Sequence, residues 1–320
     1  VKVLLLEPFC KSYVPELNNL FHDIEFIEAY TEKIIANQIG DSDAVFGYIN
    51  SDQLSAGKKL KWIQTPDTGM EGLFENIPEL SESKVIITNS RGAGAPIIGE
   101  HALALMLALS RQLPIFFRDK SNKKWDQEGG LDKVQYLGDK TVGIIGYGRS
   151  GKEIAWRCKL LGMNVVGLDI NPVDPDKAVQ SVMGYDRLPD LLELSDYVVV
   201  TAPYSPKNSE MIGSKEFELM KSTSYLIVTS RGRLFNENAL VKALKEKQIS
   251  GAALDTVWPE PLPANSPLWD IPNLIITPHI AGNAEKKMLD ERTIDILKEN
   301  LSRFASKRKL TNIVDKNLWY

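Results

Sequence analysis

Six short, almost unbroken apolar runs in the second part of the chain constrain its fold more than any other feature. They are "TVGIIG" (141–146), "NVVGLD" (164–169), "YVVVTA" (197–202), "YLIVTS" (225–230), "GAALD" (251–255) and "LIITP" (274–278). Strands read this way when both faces of a parallel sheet are covered by helices. Helical patterns fill the gaps at 150–161, 188–194, 214–220 and 236–247. Six strands with helical crossovers describe a doubly wound α/β domain. The first hundred residues repeat the alternation, with strand candidates "VKVLLL", "AVFGYI", "KWIQT" and "VIITN" and a helical "YTEKIIANQI". Between the two series one long helical pattern runs from Pro96 to about Lys124. Its first half is apolar on nearly every side, so it is expected to be buried between two domains. Pro114 is the place where it would kink or break. A loop holding Trp125, Gly129 and Gly130 follows, and a last helical pattern runs from about Ala284 to Phe304.

With 320 residues the chain has the length of about two domains. It is 43% hydrophobic and 25% charged, enough to bury a full core. A net charge of -4 argues against a dedicated nucleic-acid binder. The one basic cluster, "SKRK" at Ser306 to Lys309, reads as a solvated helix end, where cations suit the dipole. Cys10 and Cys158 make neither a disulfide framework nor a metal spacing, which favours a reducing, cytoplasmic setting. "ALALMLAL" (102–109) is too short to span a bilayer. "VKVLLLEP" is too short for a signal peptide and reads as a first buried strand. No nucleic-acid partner, membrane or metal is therefore expected.

"TVGIIGYGRSGKEIA" places Gly146, Gly148 and Gly151 in the order G-x-G-x-x-G. The pattern is weak alone and strong here, because it follows a strand and opens a helix. Gly146 permits the tight turn, Gly148 lets a pyrophosphate approach the backbone, and Gly151 lets the helix pack close to the sheet. The helix N-terminus then faces the phosphate charge. Asp169 closes the second strand, where a carboxylate accepts hydrogen bonds from the adenosine ribose and repels a 2′-phosphate. Ile170, Asn171 and Pro172 follow, with no arginine to welcome that phosphate. NAD is favoured over NADP.

Ligands on such sheets sit outside the carboxyl ends of the strands, and three reactive side chains fall there. Arg231 follows "YLIVTS", Glu260 lies in "DTVWPEPLP", and His279 follows "LIITP". Arginine grips a carboxylate through a two-pronged fork, and histidine passes protons near neutral pH. A carboxylate beside the histidine holds one tautomer. Each residue has a plainer reading: a surface ion pair, a loop charge before prolines, a strand-end histidine. Their convergence at one edge of a nucleotide-binding sheet favours chemistry. His22 and His101 look structural, and Tyr48, Trp258 and Trp269 fit either a substrate pocket or packing.

Over essentially its whole length the chain resembles the D-isomer-specific 2-hydroxyacid dehydrogenase family. The resemblance rests on "WIQTPDTGMEGL", "ITNSRGAGAPIIGEHALALMLALSR", "TVGIIGYGRSGKEIA", "SRGRLFNENAL", "GAALDTVWPEPLPANSPLW", "NLIITPHIAG" and the tail "LTNIVDKNLWY". It implies a Rossmann domain over 97–284 and a smaller, discontinuous, flavodoxin-like substrate domain from 1–96 and 285–320, with the active site in the cleft between them. It implies Arg231, Glu260 and His279 as catalytic residues. Arg231 and His279 would also bind substrate, together with a carboxylate-binding loop of Thr68, Gly69 and Met70 that acts mainly through backbone N–H groups. The cofactor would run along Gly146, Tyr147, Gly148, Arg149, Ser150 and Gly151, then Asp169 and Ile170, then Thr201, Ala202 and Pro203. It would continue past Thr229, Ser230 and Arg231 to Asp255, near the nicotinamide carboxamide, and to His279, Ala281 and Gly282. A homodimer through the nucleotide-binding domain is also implied.

The chain departs from the commoner family pattern at Val228, where many members have asparagine, and at Thr201, where many have histidine. Both are expected to line the cofactor. "TGMEG" with Glu71 replaces a more usual "AGVDN"-like loop and clouds substrate choice. No regulatory domain follows the tail, an expectation against a long-form phosphoglycerate dehydrogenase. The reading is a cytoplasmic NAD-dependent oxidoreductase interconverting a 2-oxo acid and a D-2-hydroxy acid by hydride transfer. His279 is its acid/base, Glu260 the partner of His279, and Arg231 the substrate-binding group. A formate or phosphite dehydrogenase is a rival on the same frame; formate dehydrogenases usually have glutamine where Glu260 stands. A non-catalytic, NAD-sensing scaffold of the co-repressor type is the alternative from another class.

Overall fold

The computed structural model describes residues 1–128, 131, 134–171 and 173–320. Gly129, Gly130 and Pro172, singled out above, lie outside the described residues. The chain divides into two compact units, one of Val1–Ala93, Ser205–Lys207 and Ala284–Tyr320, the other of Gly94–Tyr204 and Asn208–Asn283.

The first unit holds β1 (Lys2–Leu5), α1 (Val14–Leu20), β2 (Glu25–Glu28), α2 (Glu32–Gln38), β3 (Ala44–Phe46), α3 (Ser51–Ala56), β4 (Trp62–Gln64), α4 (Glu71–Asn76) and β5 (Ile86–Thr88). The strands form one parallel sheet in the order β2-β1-β3-β4-β5, the flavodoxin-like arrangement. Successive strand residues point to opposite faces. Leu4, Val45, Ile63 and Ile87 accordingly enter one core. Val3, Leu5, Phe46 and Trp62 enter the other.

The second unit begins with α5 (Ala95–Ser110) and α6 (Leu113–Ser121). It continues through β6 (Thr141–Ile145), α7 (Arg149–Leu160), β7 (Asn164–Leu168), β8 (Ser181–Met183), α8 (Leu188–Leu194) and β9 (Tyr197–Val200). It closes with α9 (Ser214–Leu219), β10 (Tyr225–Val228), α10 (Glu237–Lys245), β11 (Gly251–Leu254) and β12 (Leu274–Ile276). All seven strands are parallel, in the order β12-β11-β10-β9-β6-β7-β8. The order reverses between β6 and β9, so the turn after β6 stands at the switch point where such sheets bind ligands. The alternation recurs: Ile145, Val166, Val200 and Val228 pack on one face, and Ile144, Val165, Val199 and Ile227 on the other. Each such aliphatic side chain contributes roughly 1.5–3 kcal/mol by leaving water. The remaining helix, α11 (Lys286–Ala305), belongs to the first unit and presses Ile294, Leu297 and Leu301 into its core.

Three expectations need correction. The second unit has seven strands and not six, and β2 was missed in the first. Both missed strands lie at sheet edges. β8 is three half-buried residues, and β2 is only two half-buried apolar residues, Phe26 and Ile27, between exposed Glu25 and Glu28. The long pattern from Pro96 is two helices and not one. Arg111 ends α5, Gln112 takes a left-handed φ of 53°, and Pro114 sits in the first turn of α6, where its missing N–H costs nothing. Nor is α5 buried on every side. Ala102, Leu105, Met106 and Leu109 form its buried stripe, while Ala104 and Leu107 are exposed. No helix among the described residues is long and apolar enough to cross a membrane.

Cys10 and Cys158 are free and fully covered, one in each unit. Burial pushes both thiols up to about 12. A thiol reagent at pH 8 is therefore expected to label neither cysteine in the native chain and both after unfolding. Stoichiometric labelling of either in the folded protein would contradict this packing.

Candidate active site

The turn after β6 is shaped by what a side chain would strike. Gly146 has φ +97°, and a Cβ there would lie 2.5 Å from the Ala202 nitrogen. A Cβ on Gly151 would lie 2.3 Å from the Gly146 oxygen. Gly148 meets nothing within 4 Å, so its missing side chain leaves open space against the backbone. The fold itself demands the outer two glycines. The middle one keeps room for a group approaching from outside, which is how a pyrophosphate lies on such a turn. Arg149 and Ser150 begin α7, with Arg149 exposed.

The neighbouring strand ends are tied to this turn. Thr201 Oγ1 donates to the Gly146 carbonyl at 2.7 Å. The N–H groups of Thr201 and Ala202 both donate to the Ile145 carbonyl. The carbonyl of exposed Pro203 accepts from Asn208. Asp169 ends β7, half-buried, with Oδ1 accepting from the Asn171 N–H at 3.0 Å, and Ile170 beside it is exposed. Ser230 Oγ donates to the Val200 carbonyl, whereas Thr229 Oγ1 is buried without a hydrogen-bond partner among the described residues. An orphaned buried hydroxyl and an open glycine turn on one sheet edge fit a bound dinucleotide.

Two side chains point the other way. Val228 packs into the core and does not line this edge, as its place on β10 requires. Tyr147 is also buried, its ring against Gly167 and its hydroxyl donating to Asp176. It has only its main chain to offer a nucleotide.

His279 and Glu260 meet. Their Nδ1 and Oε2 atoms are 2.8 Å apart, on partly exposed side chains. Glu260 Oε1 also accepts from the Val257 N–H at 3.2 Å, so both carboxylate oxygens are engaged. A carboxylate only accepts, so His279 carries a proton on Nδ1, and Nε2 is the nitrogen left to exchange one. The Arg231 turn abuts the same loop. A Cβ on Gly232 would lie 2.0 Å from the Val257 carbonyl carbon, and only glycine allows that approach. Arg231 Nη1 donates to the Ser230 carbonyl.

His279 has a left-handed φ of 54°, and the reason is Asp255. This fully buried carboxylate accepts from Thr277 Oγ1 at 2.6 Å and from the N–H groups of Ile280 at 2.9 Å and Ala281 at 2.8 Å. The His279 N–H donates to the Asp255 carbonyl. Residues 277–281 are thus wrapped around Asp255, and nothing lies near the missing side chain of Gly282. Sequence reasoning missed Thr277 and Val257, which no motif marks. It also missed Arg233, whose guanidinium lies 3.5 Å from the centre of the Trp258 ring. Trp269 donates to the Pro263 carbonyl.

In the first unit the loop before α4 is tied from below. Asn89 donates to the Thr68 carbonyl at 2.8 Å, and Ser90 Oγ to the Thr65 carbonyl. Met70 is buried, while Thr68 is exposed. Tyr48 donates to Asp67 at 2.6 Å. Burial and the charge of Asp67 hold the Glu7 carboxyl above the usual carboxylate range.

Known proteins resemble this chain in both sequence and fold. The model of the family described as "D-isomer specific 2-hydroxyacid dehydrogenase, NAD binding domain" matches residues 103–281. The chain is 30% identical over 301 residues to a D-3-phosphoglycerate dehydrogenase of Methanocaldococcus jannaschii, covering 92% of this chain and 56% of that protein. It thus spans about half the length of that relative. It is 30% identical over 312 residues to a glyoxylate reductase of Thermococcus litoralis, covering 93% and 92% of the two chains. A crystal structure of a D-isomer specific 2-hydroxyacid dehydrogenase family protein from Aeromonas salmonicida superposes with a TM-score of 0.81, at 27% identity and 98% and 99% coverage. By both sequence and fold, the chain belongs to the D-isomer specific 2-hydroxyacid dehydrogenase family.

Proposed function

We propose that this chain is an NAD-dependent enzyme that interconverts a small 2-oxo acid and the corresponding D-2-hydroxy acid. The observation that carries the proposal is the Glu260–His279 pair, with the carboxylate on Nδ1 and Nε2 left for proton exchange. In the reducing direction a bound NADH supplies hydride to the carbonyl carbon. His279 protonates the developing alkoxide from Nε2, and Glu260 holds the ring and its tautomer through the transfer. Arg231 grips the substrate carboxylate and carbonyl, a task for a planar fork. The loop Thr68–Gly69–Met70 offers main-chain N–H groups to the same carboxylate. Residues 97–284 form the nucleotide-binding part, and 1–96 with 285–320 the substrate-binding part. A non-catalytic, nucleotide-sensing scaffold would bind NADH and turn nothing over.

The test is steady-state reduction of glyoxylate, hydroxypyruvate, pyruvate and longer 2-oxo acids. Wild-type protein is expected to turn over at least one. His279→Ala should lower kcat about 10²–10⁴-fold while NADH still binds, the usual size of general acid catalysis. Arg231→Lys should not rescue activity, because an ammonium lacks the two-pronged geometry. NADH binding without turnover of any acid would favour the scaffold; near-native rates in both variants would remove these residues from the chemistry.

NAD is proposed over NADP because Asp169 follows directly on β7, the position from which a carboxylate binds the ribose hydroxyls and repels a 2′-phosphate. Hydrogen bonds to a charged group are worth roughly 1.5–3 kcal/mol, so Asp169→Ala should weaken NADH binding about tenfold or more and narrow the preference over NADPH. Titration of both nucleotides by fluorescence checks this. Equal affinity of the wild type for the two would point to exposed Arg149 as a phosphate ligand.

A homodimer through the second unit is supported by its exposed large apolar side chains, among them Phe117 on α6, Trp125 and Tyr136 after it, and Trp156 and Leu160 on α7. Sedimentation equilibrium is expected to give twice the chain mass of 35.8 kDa, and a monomer at micromolar concentration would refute it. Two reduced, buried thiols suit a cytoplasmic setting.

A further inference from the structure

His101 lies on α5, far in sequence from every residue assigned a role above. Its Nε2 is 3.0 Å from Thr277 Oγ1 and 3.4 Å from Asp255 Oδ1. The direction of these bonds follows from donor counting. Asp255 is an acceptor at both oxygens, so Thr277, 2.6 Å away, spends its only hydroxyl proton on Oδ1. The Thr277 oxygen can then only accept from His101. His101 therefore carries a proton on Nε2 and directs it at the Thr277 hydroxyl, with Asp255 Oδ1 just beyond.

The consequence reaches His279. The Asp255 carboxylate is fully buried, and a buried carboxylate is tolerated only when donors surround it. Its other donors are the N–H groups of Ile280 and Ala281, the two residues that follow His279. These bonds hold His279 in its left-handed conformation. Removing the His101 N–H frees Thr277 to rotate and strips a donor from the hub that shapes this turn. We infer that His101 is a positioning residue for His279, acting through Thr277 and Asp255. The inference rests on the proposed role of His279 for its catalytic consequence, but not for its structural one.

The test compares full-length wild type, His101→Leu and His101→Gln. Leucine fills the space without a donor. The glutamine amide nitrogen reaches about as far as the imidazole Nε2 and restores one. The first readout is hydrogen exchange at the Ile280 and Ala281 amides, which needs no activity. In His101→Leu it should accelerate about tenfold or more while the amides of β10 and β11 keep their protection, and His101→Gln should restore it. The second readout is kinetic, with the 2-oxo acid that the wild type reduces. Here kcat should fall about tenfold or more in His101→Leu, with His101→Gln recovering most of the loss.

Unchanged exchange at Ile280 and Ala281 in His101→Leu would overturn the inference whatever the activity. Exchange accelerated equally across β10 and β11 would also overturn it, because the effect would then be global stability. So would faster local exchange with native kcat. If the wild type reduces no 2-oxo acid, the proposed reaction fails, and the exchange data alone decide whether His101 holds the 279–281 turn.

Discussion

A parallel sheet covered on both faces buries its central strands in almost entirely apolar side chains, and the rest of this structure follows from that. Val3 to Leu5, Tyr197 to Val200 and Tyr225 to Val228 are buried without interruption. A polar group there needs a partner in place of water, as the Tyr197 and Tyr225 hydroxyls find in Gln135 and Gln112. The chemistry is displaced to where the strands end. In the second unit the glycine turn, Asp169, Thr201, Thr229 to Arg231, Asp255 and His279 all follow directly on strand ends. Because the strands are parallel, those ends lie along one edge of the sheet.

One charge inside this frame is then used to hold the edge in shape. A non-glycine residue in the left-handed region costs on the order of 1–3 kcal/mol, and His279 occupies it. The hydrogen bonds that Asp255 accepts from Thr277, Ile280 and Ala281 are of the charge-assisted kind, roughly 1.5–3 kcal/mol each. They outweigh that strain, provided the carboxylate stays out of water. Glu260 uses the same device on a smaller scale, one oxygen on its own loop at Val257 and the other on His279. A left-handed turn around a buried carboxylate thus presents an imidazole that Glu260 holds through Nδ1.

The central strands, and the helices between those of the second unit, were legible because their patterns are strong: continuous apolar runs for buried strands and periodic segments for helices. β2 and β8 were not, since an edge strand needs neither a continuous apolar run nor length. The division of the Pro96–Lys124 pattern at Gln112 was half legible. Pro114 marked a break, but proline in a first turn and proline as a kink look alike in sequence. The apolar surface of α5 misled for a related reason: Leu103, Ala104 and Leu107 have the composition of a buried face, yet only the stripe of Ala102, Leu105, Met106 and Leu109 is buried.

At the candidate site, the sequence by itself determined the glycines and the order of functional groups along the chain. Gly146 and Gly151 are demanded by contacts a few residues away, and Arg231, Glu260 and His279 are placed by the strands they follow. Tertiary structure alone decided the rest. Tyr147 and Val228 turn inward because the core receives them, and His279 holds its proton on Nδ1 because Glu260 lies there. His101 reaches Thr277 across 176 positions. Local pattern reports backbone conformation and the face a residue occupies. Which atom meets which depends on elements brought together from distant parts of the chain, and no spacing in the sequence encodes that distance.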